Sequence, residues 1–212
     1  MVMNNYDVAW DAYFYPDTNV LKNKKGIMDK EKLREVEAEI TFEKLVELYE
    51  NHIEGNFDKK HLCDIHRFLF DSIYDWAGDY RTVLMQKNTI FAEAHEINNL
   101  LDLACKEMNE EFVNISTKEK LSTLIAKYYI RLMYIHPFRE GNGRSIREFI
   151  REFVSEKTKH LECGEYEIDW KKIDANCVNE ILPFAFAFSF SGVLERQFYN
   201  SLVPVETNSL AL

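Results

Sequence analysis

Glycine and proline are scarce, 7 and 4 among 212 residues. Turn-rich sandwiches, barrels and collagen-like chains consume far more of both, so those classes are set aside first. Cysteine is thin as well. Cys63, Cys105, Cys163 and Cys177 lie far apart with no CxxC pair, which argues for reduced thiols against a disulfide framework or zinc site. The longest stretch without a charge, Ile181 to Leu194, has 14 residues and contains Pro183, too short to span a bilayer. Met1 to Trp10 has no basic patch leading into an apolar run, so no signal peptide or membrane partner is expected and the cytoplasm is the expected location. Basic charge is in deficit: 26 Lys and Arg against 36 Asp and Glu give a net charge of −10. Such a chain is a poor non-specific phosphate-backbone binder, and no direct nucleic-acid partner is expected.

What remains is 46% hydrophobic and 29% charged, the proportions of a soluble globular domain. Residues 1–28 read as loops and turns. Apolar spacing then predicts helices over 30–53, in one or two pieces, and over 59–76, capped by Asp58 and ended by Gly78. A helix is predicted from Ile97 to Met108. The next follows a capping-box pattern at Ser116 and Glu119 and runs to Ile135, and another starts near Gly143. A helix over Ile173–Leu182 is expected to break at Pro183, with a further one reaching Tyr199 and a frayed tail behind it. Phe184, Phe186, Phe188 and Phe190 alternate like a strand but lie between helical neighbours, so they are read as a core helix. Tyr80 to Phe91 is the exception. Thr82, Val83, Thr89, Ile90 and Phe91 favour extended backbone and Lys87-Asn88 suits a turn, which predicts a short β-hairpin. The expected fold class is all-α, a bundle with one hairpin.

The chemistry concentrates in Ile135-His136-Pro137-Phe138-Arg139-Glu140-Gly141-Asn142-Gly143-Arg144-Ser145-Ile146-Arg147. A helix ends, a tight loop holds two glycines around an asparagine, and a helix begins. Glycines let backbone N–H groups approach an anion, and the positive end of the new helix faces the same place. Arg144 and Arg147, three apart, offer forked donors to phosphate oxygens. Glu140 would repel that anion unless a bridging Mg²⁺ reconciles them. His136 is a base of suitable pKa for an incoming hydroxyl, and the Asn142 amide is a donor for an oxyanion. The pattern reads as a nucleoside triphosphate site, although neither GxxxxGK[ST] nor GxGxxG is present.

The stretch His136 to Arg147 resembles the Fic signature H-x-F-x-[DE]-G-N-G-R-x-x-R with every defined position filled, and Leu69 to Arg81 resembles the segment preceding that family's hairpin. The resemblance implies a Fic-type helical bundle whose hairpin "flap" lies beside the active-site loop. It would comprise an N-terminal extension with first helices packed on the core (1–55), the Fic domain (56–200) and a flexible tail (201–212). It implies a protein adenylyltransferase, moving AMP from ATP to a Ser, Thr or Tyr hydroxyl with release of pyrophosphate. ATP and Mg²⁺ would be the cofactors and a protein the target, with a type II topoisomerase subunit as the family expectation. By the same resemblance His136 is the general base and Glu140 the Mg²⁺ ligand. Gly141, Asn142 and Gly143 form the anion hole, Arg144 and Arg147 hold the β- and γ-phosphates, and Phe138 counts among the nucleotide-binding residues. Lys87, Thr89, Ile90 and Phe91 line the flap that pairs with an extended target segment. The alternatives are a Fic variant transferring UMP, phosphocholine or phosphate or removing AMP, and a catalytically silent peptide-binding module. Gly143 stands where family kinases carry lysine.

Many Fic proteins are inhibited by a helix carrying [ST]-x-x-x-E-[GN], whose glutamate pairs with the second motif arginine. Ser191 to Glu195 fits the first five positions, but Arg196 breaks the sixth, and a core helix is the preferred reading. Tyr15 to Lys24 is similar to antitoxin-regulated Fic toxins and effectors. A small antitoxin supplying the inhibitory helix is therefore the expected partner, docking near residues 30–53 and Arg147. His66, on the face of Leu62, Ile65 and Leu69, reads as a core histidine, while His52, His61, His95 and His160 lack metal-ligand spacing.

Overall fold

The computed structural model describes residues 10–86, 89–188 and 191–205. Among them are seven α-helices: α1 (Lys30–Glu50), α2 (Lys59–Phe70), α3 (Ile97–Phe112), α4 (Lys118–Ile135), α5 (Asn142–Lys157), α6 (Ala175–Phe188) and α7 (Gly192–Ser201). One two-stranded antiparallel sheet joins β1 (Tyr166–Ile168) to β2 (Leu202–Pro204), with Glu167 opposite Val203. The chain is a helical bundle, as its composition predicts.

Side-chain caps set several helix starts. Asp29 accepts from the Lys32 N–H at 2.8 Å and Asp58 from the His61 N–H at 2.9 Å. At α4 the cap is Thr117, one residue beyond the predicted Ser116, accepting from Lys120 N at 3.2 Å. The buried residues of α4 (Leu121, Leu124, Ile125, Tyr128, Tyr129, Leu132, Ile135) occupy more than one face. A helix apolar on several faces belongs in the middle, and α4 packs against α3, α5, α6 and α7. Its C-terminus and the N-terminus of α5 meet in the loop 136–141.

The predicted hairpin is present as an antiparallel bridge, Gln86 with Ile90, and among the described residues the two-stranded sheet forms from β1 and β2. Two expectations are corrected. Leu202 to Pro204, assigned to the tail, pairs as a strand, and Leu202 is buried. Helix α6 runs through Pro183 to Phe188, where Phe184 is exposed and Ala185 faces the core. Lys87, Asn88, Phe190 and residues 206–212 lie outside the described residues.

Helix α1 is a single 21-residue element with no apolar stripe. It turns Leu33, Glu37, Thr41 and Leu48 inward and leaves Phe42, Val46 and Tyr49 exposed. Two of the inward residues are polar because of what they meet on α5.

Candidate active site

The loop 136–141 is shaped by its own sequence. Pro137 disfavours helical geometry at His136, so α4 stops at Ile135 and His136 takes left-handed backbone, φ +46°. That conformation costs an L residue about 1–2 kcal/mol. Gly141, at φ +79°, starts α5, and Phe70 packs so close beneath it that no Cβ fits.

The Asn142 side chain closes the loop. Its Oδ1 accepts from Phe138 N at 2.8 Å and its Nδ2 donates to Phe138 O at 2.7 Å. The carboxamide expected to face an oxyanion is thus engaged in the protein. Short Asn side chains between glycines commonly bond their own backbone turn, a signal the motif already contained. At the first turn of α5, the backbone N–H groups of Asn142 and Gly143 have no intrahelical acceptor, the local geometry that suits an anion.

A cavity of about 510 Å³ opens over this helix start. Met85 and Phe91 of the flap form one side, Tyr129, Met133 and His136 of α4 another, and Trp170, Ile173, Ala175, Val178 and Asn179 the outer wall. Arg139, Glu140, Asn142, Gly143 and Arg147 complete it. Glu140 is the single acid and His136 the single histidine among the described lining residues.

The His136 ring stacks on Phe91, 3.9 Å between centroids and 14° from parallel. Its Nδ1 lies 3.3 Å from the Met133 carbonyl. A carbonyl only accepts, so in the neutral ring Nδ1 carries the proton and Nε2 is the basic nitrogen. Phe91 therefore packs with the His136 ring. Ile90 is exposed beside it and Thr89 is half-buried.

Arg147 is exposed on the cavity side of α5, next to the buried Tyr129, whose hydroxyl burial pushes up and Arg147 partly draws back. Arg144 goes the other way. It donates to Glu37 at 2.5 Å and to Thr41 at 3.1 Å, both on α1, and its guanidinium lies over the Phe70 ring. Tyr74 donates to the second oxygen of Glu37. Only a long 3.9 Å pairing joins Arg144 to Glu140. The two arginines expected to share phosphates thus diverge, because buried Glu37 must be paired. Phe138 is corrected too: it is fully buried against the His66 ring at 3.8 Å and lines no part of the cavity.

Arg139 was not anticipated. Its guanidinium packs on Trp10, Tyr13 and Phe14 at 4.4, 5.5 and 5.0 Å, and it lines the cavity beside Glu140. The arginine within the motif was the available signal. Glu195, the candidate inhibitory glutamate, is held by Ser191 and by Thr123 of α4.

His66 is a buried brace, as its helix face predicts. Nδ1 accepts from Gly78 N at 2.8 Å and Nε2 donates to the Glu140 carbonyl at 3.0 Å, which requires the neutral ring. Burial, opposed in part by that carbonyl, pushes its pKa down to about 3. The unfolded chain therefore binds the extra proton between about pH 6.5 and 3, so stability is full above that window. It falls as the pH drops through the window, by at most about 1.4 kcal/mol per pH unit. Thermal midpoints between pH 7.5 and 4 should fall less steeply in His66→Gln than in wild type. Equal slopes would remove His66 from the account.

The site's relatives can now be compared. The Fic/DOC family model matches residues 56–154, which span α4, the loop and most of α5. Protein adenylyltransferase VbhT of Bartonella schoenbuchensis is 33% identical over 174 residues, covering 81% of this chain and 35% of that protein. The chain thus spans about a third of the length of VbhT. The probable protein adenylyltransferase Fic of Salmonella typhimurium is 30% identical over 165 residues, covering 77% of this chain and 78% of that one. The fold matches BepC of Bartonella tribocorum, solved with bound AMPPNP, at a TM-score of 0.80 and 23% identity, over 92% of this chain and 98% of that chain. By sequence, motif and fold, the chain belongs to the Fic/DOC family, in which VbhT is named a protein adenylyltransferase and the Salmonella protein a probable one.

Proposed function

We propose that this chain is a protein adenylyltransferase that moves AMP from ATP to a hydroxyl of a target protein. The observation that carries the reading is one cavity bringing together His136, Glu140, Arg147 and the start of α5. An imidazole beside an anion-binding helix start suits transfer to an alcohol, where positioning and charge stabilisation supply most of the rate.

In the step we assign, the acceptor oxygen attacks the α-phosphorus of ATP while its proton passes to His136 Nε2. The bond from the α-phosphorus to the bridging oxygen breaks and pyrophosphate leaves. Backbone N–H groups of Asn142 and Gly143 take charge on the phosphate oxygens, and Arg147 holds the distal phosphates. Arg139 is a second cationic neighbour on the same wall. Glu140 suits Mg²⁺, which typically takes one or two protein carboxylates and completes its shell with phosphate and water. Glu140 would hold the ion, and the ion would neutralise charge on the phosphates. The flap residues Thr89 and Ile90, with Lys87, would offer their backbone to an extended target segment.

The inhibitory glutamate is assigned to a separate antitoxin, since both carboxylate oxygens of Glu195 are engaged by Ser191 and Thr123. The proposed setting is the cytoplasm. One experiment tests both points: the purified chain is incubated with α-labelled ATP and Mg²⁺ in a lysate, and labelled bands are identified by mass spectrometry. A type II topoisomerase subunit is the first purified target to add. An adduct of AMP mass from the chain alone, unchanged in Glu195→Gly, supports the reading. No adduct or a different adduct mass would refute the transferase reading, and activity only after Glu195→Gly would overturn the antitoxin assignment by placing the brake inside the chain.

A further inference from the structure

Arg81 does not line the cavity, yet it holds more of the active-site backbone than any motif side chain described above. It is 2% exposed. Its Nε donates to the His136 carbonyl at 2.7 Å, and its Nη2 to the carbonyls of Ile135 at 3.2 Å and Ala92 at 2.6 Å. Its Nη1 donates to Val83 O at 2.6 Å, and its backbone N–H to Pro137 O at 2.8 Å.

These acceptors form two groups. Ile135, His136 and Pro137 are three successive carbonyls where α4 ends, the negative end of the helix, where a cation is favoured. Val83 and Ala92 are the two stems of the flap. A third tie runs alongside, from Ala92 N to Tyr134 O at 3.1 Å. The residue whose carbonyl Nε grips is His136, the one in left-handed backbone. Backbone of that kind persists only where its surroundings over-determine it. Phe91, next to Ala92, is the ring against which His136 stacks.

We infer that Arg81 is a positioning residue that locks the base His136 and the target-holding flap into one rigid unit. This rests on the proposed transferase reading. A planar guanidinium presents a rigid fork of donors and meets several carbonyls at once, whereas an ammonium is a single point donor. Lysine should therefore restore charge but not geometry.

The test compares wild type, Arg81→Lys and Arg81→Met as full chains. ATP–Mg²⁺ affinity is measured by calorimetry, AMP transfer by label incorporation, and the His136 ring protons by NMR, assigned through their absence in His136→Gln. In wild type the stacked Phe91 ring should impose a ring-current shift on those protons. Because a displacement near 1 Å costs on the order of 100-fold in rate, Arg81→Met should lose about that factor in kcat and Arg81→Lys about tenfold, with ATP affinity within about threefold. In both variants the His136 signals should move toward those of a free histidine. Transfer within about twofold of wild type in either folded variant, or unmoved ring signals, overturns the inference. If Arg81→Met does not fold, Arg81→Lys decides alone. If wild type transfers no AMP, the transferase reading fails while the ring signals still judge Arg81.

Discussion

Replacing His136 with alanine should lower AMP transfer by about 10²–10⁴-fold while ATP affinity stays within a few-fold, since general-base catalysis by one positioned side chain is worth about that much. The separation of effects follows from the site's layout. The imidazole sits on the flap side of the cavity, stacked on Phe91, while the proposed donors for phosphate lie on α5. Removing the ring leaves the Asn142 and Gly143 N–H groups and Arg147 in place. The alanine variant should therefore still bind nucleotide in calorimetry and fail in single-turnover transfer. A variant with both kcat and KM close to wild type would show that the proton leaves by another route, and the assignment of His136 as base would fall.

The second large effect concerns Gly141. Alanine there fails on two counts. The residue has φ +79°, in the left-handed region, which costs a non-glycine residue about 1–2 kcal/mol. The added Cβ would also meet the Phe70 ring well inside van der Waals contact. Phe70 is fully buried, with His66 stacked on it at 4.8 Å, so it has no room to yield. Overpacking of this kind costs about 1–3 kcal/mol, bringing the sum to about 2–5 kcal/mol. At about 2–4 °C per kcal/mol for a chain of this size, the thermal midpoint should drop by roughly 4–20 °C. Function should suffer beyond the stability loss, because moving Gly141 moves the first N–H groups of α5. A Gly141→Ala protein that melts within a degree or two of wild type would mean the loop relaxes freely, against the close packing described here.

The motif was legible because its determinants are local. The stop at His136, the turn at Gly141 and the helix start at Asn142 follow from Pro137, two glycines and the apolar spacing of α5, all within a dozen residues. His66 was legible as a core residue because its helix face is apolar. Its second task, holding the Glu140 carbonyl, was hidden because the partners are 74 positions apart. The divergence of Arg144 and Arg147 was hidden for the same reason. Spacing puts both on one side of a helix, but Glu37, 107 positions upstream, draws one away. Arg81 stood in plain view before the flap, and nothing local pairs it with residues 54 and 55 positions further along.

Short-range chemistry in the sequence alone therefore determined the helical class, the glycine turn after His136 and the helix start behind it, because propensity, capping and glycine geometry act over a few residues. Tertiary structure alone decided which arginine faces the cavity, which buried groups brace the turn, and that residues 202–204 close a sheet. Those outcomes depend on buried polar groups finding partners, and the partners are brought near only when the whole bundle packs.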